Sequence, residues 1–219
     1  RADTTDPRRL RGVGVASCWY GCGNTGLPNP STIRAGLRRD GTLVLHQGAA
    51  DIGQGANTVI AQIFADSLGL PVGQVALIDG DTALTPDCGK TSASRQTFVT
   101  GNAALRAGRM LRSEILSLTN AGAAAKLSLQ GGALTVTDGR AIRTIHLADL
   151  PANPLGYVLS AEETYDPPTR PLDENGQGEP YAVYGYGAQV AEVEVDATLG
   201  TARVLRMTAA HDLGRVMNP

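Results

Sequence analysis

Two glycine-rich polar segments constrain this chain most: residues 50–58, which we call the first loop, and residues 89–97, the second loop. Each lies directly before a stretch whose apolar residues recur at helical spacing. The first N–H groups of a helix lack partners within the helix, so each loop is predicted to bind an anionic, oxygen-rich group. One short helix and one strand separate the loops, which indicates a ligand too large for either loop alone.

Composition places the chain among globular proteins with a hydrophobic core. It has 219 residues, of which 42% are apolar, enough for one large domain or two small ones. Its 19 basic and 21 acidic residues give a net charge of -2 without a basic cluster, so no nucleic-acid partner is expected. No apolar run approaches the roughly 20 residues that span a bilayer, so no membrane span is expected.

The cysteines and histidines do not form the pattern of a metal site. Three cysteines, an odd number, argue against a disulfide framework and favour a reducing compartment. The three histidines are scattered and offer no ligand pair at zinc spacing. We therefore expect no metal bound directly by this chain, and a cytoplasmic location, with the periplasm as the alternative.

Hydrophobic periodicity predicts an α+β fold in which mixed sheets and hairpins pack with two main helices. Alternating or β-branched runs predict strands in four regions: a hairpin over 33–46, a strand over 74–78, a meander over 127–149 and a hairpin over 188–211. Apolar residues three and four apart predict helices over 57–68 and 97–120, the second with Thr97 as its N-cap. The segments 80–96 and 165–180 have no secondary-structure period and are predicted loops.

Turn and loop signals divide the chain into two expected halves. Residues 1–126 form a predicted α/β half that carries both loops, and residues 127–219 form a β-rich half that ends in a hairpin. The chain opens without an initiator Met and stops just after a strand-like run. We therefore expect a fragment, a processed chain or one part of a split subunit.

The first loop centres on Gln54, which stands between Gly53 and Gly55. The absence of Cβ atoms on both sides lets the backbone approach a flat ligand while the amide reaches in. Because a Gln side chain both donates and accepts, it suits a ligand with paired N–H and C=O edges, or a metal-bound oxo group, better than a bare phosphate. The alternative is an ordinary glycine-containing turn before a helix.

The second loop is rich in hydrogen-bonding side chains directly before a helix. Arg95 adds a charged fork, so phosphate binding is the predicted use of this loop. The other hydroxyl and amide groups belong to Thr91, Ser92, Ser94, Gln96 and Thr97. The alternative is a polar helix start with a redundant cap. Neither a P-loop nor a dinucleotide fingerprint is present, because Leu84 and Ser17 stand where those motifs require glycine.

With both loops in view, the chain resembles the molybdenum-cofactor-binding subunit of the molybdenum hydroxylases, the family of xanthine dehydrogenase and aldehyde oxidoreductase. The resemblance extends from about Arg11 to the last residue. Its segments stand in the family's order and spacing, at residues 53–55, 81–82, 91–96, 101–103, 185–196 and 212–219. The combination is far more specific than any one of these motifs.

The resemblance implies a cofactor and the residues that bind it. The cofactor is molybdenum held by a molybdopterin, commonly the cytosine dinucleotide form in bacterial members. Gln54 resembles the glutamine that hydrogen-bonds this cofactor near the metal, and Ala93 is expected to face the metal site. The expected cofactor-binding set comprises Gly53, Gln54, Gly55, Thr91, Ser92, Ala93, Ser94, Arg95, Gln96 and Thr97.

The resemblance also implies an activity and partners. The family reaction hydroxylates an aldehyde or an N-heteroaromatic substrate with oxygen from water, and electrons leave through 2Fe-2S centres and often FAD on partner subunits or domains. The family's first cofactor segment lies before this region and its catalytic glutamate after it. We therefore expect no catalytic residue here and an inactive isolated chain, while Glu179, in a similar Gly-Glu context, is expected on a surface loop. The alternative is a non-catalytic cofactor-binding or structural scaffold module of such a complex.

Overall fold

The structure is a computed structural model that describes residues 6–218. It contains ten strands and two α-helices among those residues. The strands are β1 (Arg9–Gly21), β2 (Ser31–Arg38), β3 (Leu43–Gln47), β4 (Val75–Asp79), β5 (Lys126–Gln130), β6 (Ala133–Asp138), β7 (Ala141–His146), β8 (Tyr157–Tyr165), β9 (Tyr184–Asp196) and β10 (Thr201–Asp212). The helices are α1 (Ala56–Leu68) and α2 (Gln96–Leu118). None of the helices in the described part of the chain is long and apolar enough to cross a membrane.

The chain forms two compact units whose bounds differ from the expected halves. The first unit combines the chain up to Cys22 with Ala182–Val216, and the second runs from Gly23 to Tyr181 and includes residues 217 and 218. The expected division after residue 126 falls inside the second unit, at the start of β5. Both loops lie in the second unit.

The first unit is a three-stranded antiparallel sheet in the order β1-β9-β10. Its β9–β10 part confirms the predicted hairpin over 188–211. β1 was not predicted from the sequence; it pairs with β9 from Arg9 opposite Asp196 to Gly21 opposite Tyr184. These partners are far apart along the chain, so no local hairpin signal marks the pairing.

The second unit contains a mixed sheet in the order β4-β3-β2-β8 and a meander of β5, β6 and β7. β3 and β4 are parallel and are joined through α1, whereas the other pairs are antiparallel. The predicted hairpin over 33–46, both helices, the strand over 74–78 and the meander are confirmed. The strand β8 was missed. The predicted N-cap Thr97 is wrong, because α2 begins at Gln96 and its cap position is Arg95, without a side-chain cap bond.

The core of the second unit lies between the helices and the two sheets. Phe64 of α1, Leu111 of α2 and Leu45 of β3 are fully buried there, together with Leu134 of the meander. The helices contact each other along small residues of α2, since a Cβ atom added at Gly108 would lie 2.8 Å from the Phe64 carbonyl oxygen. This close contact packs α1 directly against α2, and each helix follows one of the two loops.

The helix contact predicts that Gly108→Ala destabilises the chain. Overpacking against the Phe64 backbone should cost about 1–3 kcal/mol, which exceeds the roughly 1 kcal/mol that Ala gains over Gly within a helix. Gly101→Ala is the matched control, because its Cβ would meet only the flexible Cδ1 end of Ile63, at 2.8 Å. Urea unfolding of the three proteins measures the difference, and equal stability of the two variants would contradict the prediction.

His46 predicts a pH dependence of stability. Its ring is buried on β3, its Nε2 hydrogen-bonds the Tyr157 hydroxyl, and burial lowers its pKa below the ordinary value of 6.5, with a smaller contribution from Arg34. The unfolded chain therefore takes up a proton that the folded chain resists, so stability falls as the pH drops below about 6.5. The free energy of unfolding, measured with urea between about pH 7.5 and about pH 5, should fall less for His46→Gln than for the wild type. Equal falls in the two proteins would disprove the role of His46.

Candidate functional site

The two loops meet around one cavity in the second unit. The cavity has a volume of about 410 Å³ and is lined by Ile52, Gln54 and Ala56 from the first loop and by residues 91–97 from the second loop. The Thr91 hydroxyl donates to the Ala50 carbonyl at 2.8 Å and so joins the loops directly. The structure thus brings Gln54 and all seven expected residues of the second loop to one surface. Gly53 and Gly55 flank Gln54 without lining the cavity.

The first loop is closed by its own carboxylate. Asp51 accepts hydrogen bonds from the backbone N–H groups of Gly53 at 2.9 Å, Gly55 at 3.3 Å and Asn57 at 3.1 Å. These hydrogen bonds hold the pKa of Asp51 below its ordinary value of 3.8, and the bond from the Asn57 N–H has the largest effect. The expectation that this loop offers unpaired N–H groups to an anion is therefore wrong for these three. An Asp shortly before a helix is a recognised capping signal, so the sequence did contain this information.

Gln54 lines the cavity with an exposed side chain. Its Oε1 accepts from the Ile52 N–H at 2.7 Å, and its Nε2 donates to the Ala50 carbonyl at 3.4 Å. Gly53 and Gly55 on either side have φ of +98° and +82°, a backbone region that favours glycine. Besides these two bonds within the loop, the amide keeps one Nε2 hydrogen and one Oε1 lone pair that a ligand could use.

The second loop has unpaired donors at the start of α2. α2 lacks a side-chain cap, and its first intrahelical bond runs from the Val99 N–H to the Arg95 carbonyl at 2.7 Å. Within residues 6–218, the N–H groups of residues 96–98 and the hydroxyls of Ser92, Ser94 and Thr97 make no hydrogen bond. These three hydroxyl side chains are exposed. A helix N-terminus with free hydroxyls beside it attracts an anion.

Arg95 does not present a charged fork to the cavity. Its side chain is only 1% exposed, and the guanidinium bonds to Asn29 and to the backbone carbonyls of Cys88, Lys90 and Pro30. Burial lowers the pKa of this guanidinium from its usual value. The interpretation of Arg95 as a phosphate ligand through its side chain therefore does not match the structure, because those N–H groups point into the protein.

Gln96 and Thr91 also turn their side chains inward. The Gln96 Nε2 donates to the Lys90 carbonyl and to the Thr91 hydroxyl oxygen, each at 3.1 Å. These two residues and Arg95 hold the second loop in shape. The exposed hydroxyls and the helix N–H groups are left to meet a ligand.

Asn29 supports this site and was not predicted from the sequence. Its side chain is 4% exposed, and its Oδ1 accepts from the Arg95 Nε at 2.6 Å. The only sequence signal was the Asn-Pro dipeptide, which indicates a turn and no partner. A contact between residues 66 positions apart becomes visible only in the folded chain.

Glu179 lies where the sequence predicted. Glu179 is exposed on the segment between β8 and β9, and its carboxylate pairs with Arg170 at 3.2 Å. Its placement on a surface loop is confirmed. The three cysteines are free, and the described residues contain no group of three or more His, Cys, Asp or Glu side chains arranged to hold a metal ion.

The whole chain is similar to known proteins of one kind. The family model for the molybdopterin cofactor-binding domain matches residues 1–219. The chain is 31% identical over 228 residues to the putative xanthine dehydrogenase molybdenum-binding subunit of Escherichia coli (strain K12), a match that covers 95% of this chain and 28% of that protein. It is 32% identical over 212 residues to the aldehyde oxidoreductase of Megalodesulfovibrio gigas, covering 95% of this chain and 21% of that protein.

The fold is also shared. The crystal structure of the aldehyde oxidoreductase from Desulfovibrio desulfuricans superposes with a TM-score of 0.78 at 28% identity and covers 98% of this chain and 21% of that chain. The predicted α+β class is confirmed. The chain spans less than a third of the length of each of these relatives.

The carboxylate clamp predicts that Asp51→Ala loosens the first loop. The N–H groups of Gly53, Gly55 and Asn57 lose their acceptor and should exchange with solvent faster, measured by hydrogen exchange with residue resolution. Asp66→Ala is the matched control, because Asp66 is exposed on α1 and no hydrogen bond of its carboxylate is found within residues 6–218. Unchanged exchange in Asp51→Ala would show that the clamp does not hold the loop.

Proposed function

The chain belongs to the molybdopterin cofactor-binding domain family, and we propose that it supplies part of the cofactor site of a molybdenum hydroxylase. In this proposal the whole enzyme hydroxylates an aldehyde or an N-heteroaromatic substrate with oxygen from water. The single observation that carries it is the cavity of about 410 Å³ in which Gln54 faces the second loop. The bound cofactor would supply a two-electron redox centre, and the residues of this chain would hold it.

The donor set of the cavity fits a molybdopterin. A pterin has alternating N–H and C=O edges, which a Gln side chain recognises with its donor and its acceptor. A phosphate requires several donors, which the N–H groups at the start of α2 and the nearby hydroxyls supply. Both kinds of donor line the same cavity, so one molecule that carries a pterin and a phosphate could contact both loops.

Each residue of the expected set then has a distinct role. Gln54 binds the cofactor near the metal, and Gly53 and Gly55 set the turn that presents it. Ala93 provides a small side chain towards the metal, where a larger one would fill the space. The phosphate contacts fall to Ser92, Ser94 and Thr97, and the loop is held in shape by Thr91, Arg95 and Gln96.

The chain matches only part of its relatives, and this suggests which partners it needs. The relatives are three to five times longer than the region matched, in agreement with the 28% and 21% coverage. We infer that the remaining molybdopterin-binding segments, with the catalytic base, complete the site. Electrons would leave through 2Fe-2S and FAD partners, and the cofactor would be the cytosine dinucleotide form. The complex would be cytoplasmic, and three free cysteines agree with a reducing compartment.

The proposal predicts that Gln54→Ala in the intact complex lowers molybdenum and pterin content and activity together. Removing a side chain that supports a metal site typically costs about 10–100-fold in affinity or activity. Gln130→Ala is the matched control, because Gln130 is exposed at the end of β5 and outside the cavity. Metal analysis and pterin fluorescence measure the effect. Full cofactor and activity in Gln54→Ala would favour a structural scaffold instead, and a wild-type complex without either component would overturn the proposal.

A further inference from the structure

We propose that Arg95 and Asn29 act together as positioning residues for the second loop, and that Arg95 binds no phosphate. This inference rests on the proposed function, since the loop it shapes is the proposed cofactor loop. It assigns a role to Asn29, which lies outside the cavity, and changes the role of Arg95.

The guanidinium of Arg95 has no donor left for a ligand. An arginine side chain carries five N–H donors. Its Nε donates to the Asn29 Oδ1 at 2.6 Å, Nη1 donates to the carbonyls of Cys88 and Lys90, and Nη2 donates to the carbonyls of Asn29 and Pro30 at 3.0 and 2.8 Å. Five donors meet five acceptors, so a phosphate could bind this side chain only by displacing protein carbonyls from a buried cation, which is costly.

Asn29 also holds the guanidinium of Arg95 in place. It contributes two of the five acceptors, the side-chain Oδ1 and the backbone carbonyl. Its own backbone N–H donates to the Asp166 carboxylate at 2.8 Å, which ties the segment before β2 to the residue after β8. Asn29 is therefore held from both sides and presents a rigid acceptor to Arg95.

These bonds shape the second loop because they join its two ends. Arg95 lies near the end of the loop, directly before α2, while Cys88 precedes the loop and Lys90 lies at its beginning, so the bonds from Nη1 close residues 90–95 into a turn. Within this turn Ala93 and Ser94 have φ of +53° and +52°, a region that residues with a Cβ atom rarely adopt. Such a conformation persists only where the surroundings enforce it.

The packing of Gly89 supports the same role. A Cβ atom at residue 89 would lie 2.6–2.9 Å from Nη1, Nη2 and Cζ of the Arg95 guanidinium. The guanidinium therefore lies directly against the loop backbone. A lysine could not replace it, because one ammonium group has three donors at a single point and cannot reach acceptors on both sides.

The chain contains a matched control for this arginine. Arg112, further along α2, also donates from its guanidinium to backbone carbonyls, those of Leu68, Ala123 and Ala125. It also lies against a glycine with positive φ, since a Cβ at Gly69 would approach Nη1 to 2.7 Å. Arg112 does not line the cavity. Arg112→Ala thus removes the same type of bonding away from the cofactor loop.

The test compares Arg95→Ala, Arg95→Lys, Asn29→Ala, Asn29→Asp and Arg112→Ala in the complete complex. Hydrogen exchange of residues 90–97 is measured on the cofactor-free complex, and molybdenum and pterin content on the complex as purified. We expect Asn29→Ala to raise the exchange rate of the loop about tenfold or more and to lower cofactor content as Arg95→Ala and Arg95→Lys do. Asn29→Asp keeps an acceptor for Arg95 and should retain most of the cofactor, and Arg112→Ala should change neither readout.

The outcomes separate the alternatives. Loss of cofactor in Arg95→Ala with normal content and exchange in Asn29→Ala would make Arg95 a direct ligand and overturn the proposal. If Arg112→Ala lost as much cofactor as the Arg95 and Asn29 variants, the losses would reflect general destabilisation, and the proposal would also be overturned. If the Arg95 variants do not assemble, Asn29→Ala with Asn29→Asp decides alone. A wild-type complex without molybdenum or pterin would refute the proposed function, while loop exchange would still decide the positioning role.

Discussion

The shape of the candidate site depends on one buried cation, the guanidinium of Arg95. It lies where the segment before β2, the beginning of the second loop and the start of α2 converge, and it bonds to backbone carbonyls of the first two. A buried charge is tolerated only when its donors are satisfied, so the surrounding carbonyls must keep their places. This requirement makes the loop conformation a consequence of core electrostatics rather than of loop sequence alone.

The two loops differ in how they bond the backbone N–H groups before and at the start of the helix that follows. In the first loop, the carboxylate of Asp51 accepts from the N–H groups of Gly53, Gly55 and Asn57, while Gln54 lines the cavity with its side-chain amide. In the second loop no side chain caps α2, and the N–H groups remain open. This difference would suit the proposed cofactor, which has a neutral ring with two hydrogen-bonding edges and an anionic phosphate, because an open helix N-terminus attracts negative charge.

Local patterns predicted most of the second unit. The helices, the hairpin of β2 and β3, and the meander each bury a face with a clear period, so sequence spacing identifies them. β1 was missed because its partner, β9, is more than 160 residues away and its glycines interrupt the alternation. The wrong cap at Thr97 has a related cause: propensity favours Thr, but the buried bonds of Arg95 place that residue at the cap position.

The sequence by itself determined which chemical groups stand at the site: a glutamine between glycines, a run of hydroxyls before a helix, and the order of motifs that indicates the family. Residue identity and spacing are local properties, and they can be read from the sequence without knowledge of the fold. Only the tertiary structure decided which of those groups are free. Whether a donor is open or already satisfied depends on partners distant in sequence, as the pairing of Arg95 with Asn29 shows, and hydrogen-bond saturation is therefore a property of the folded chain.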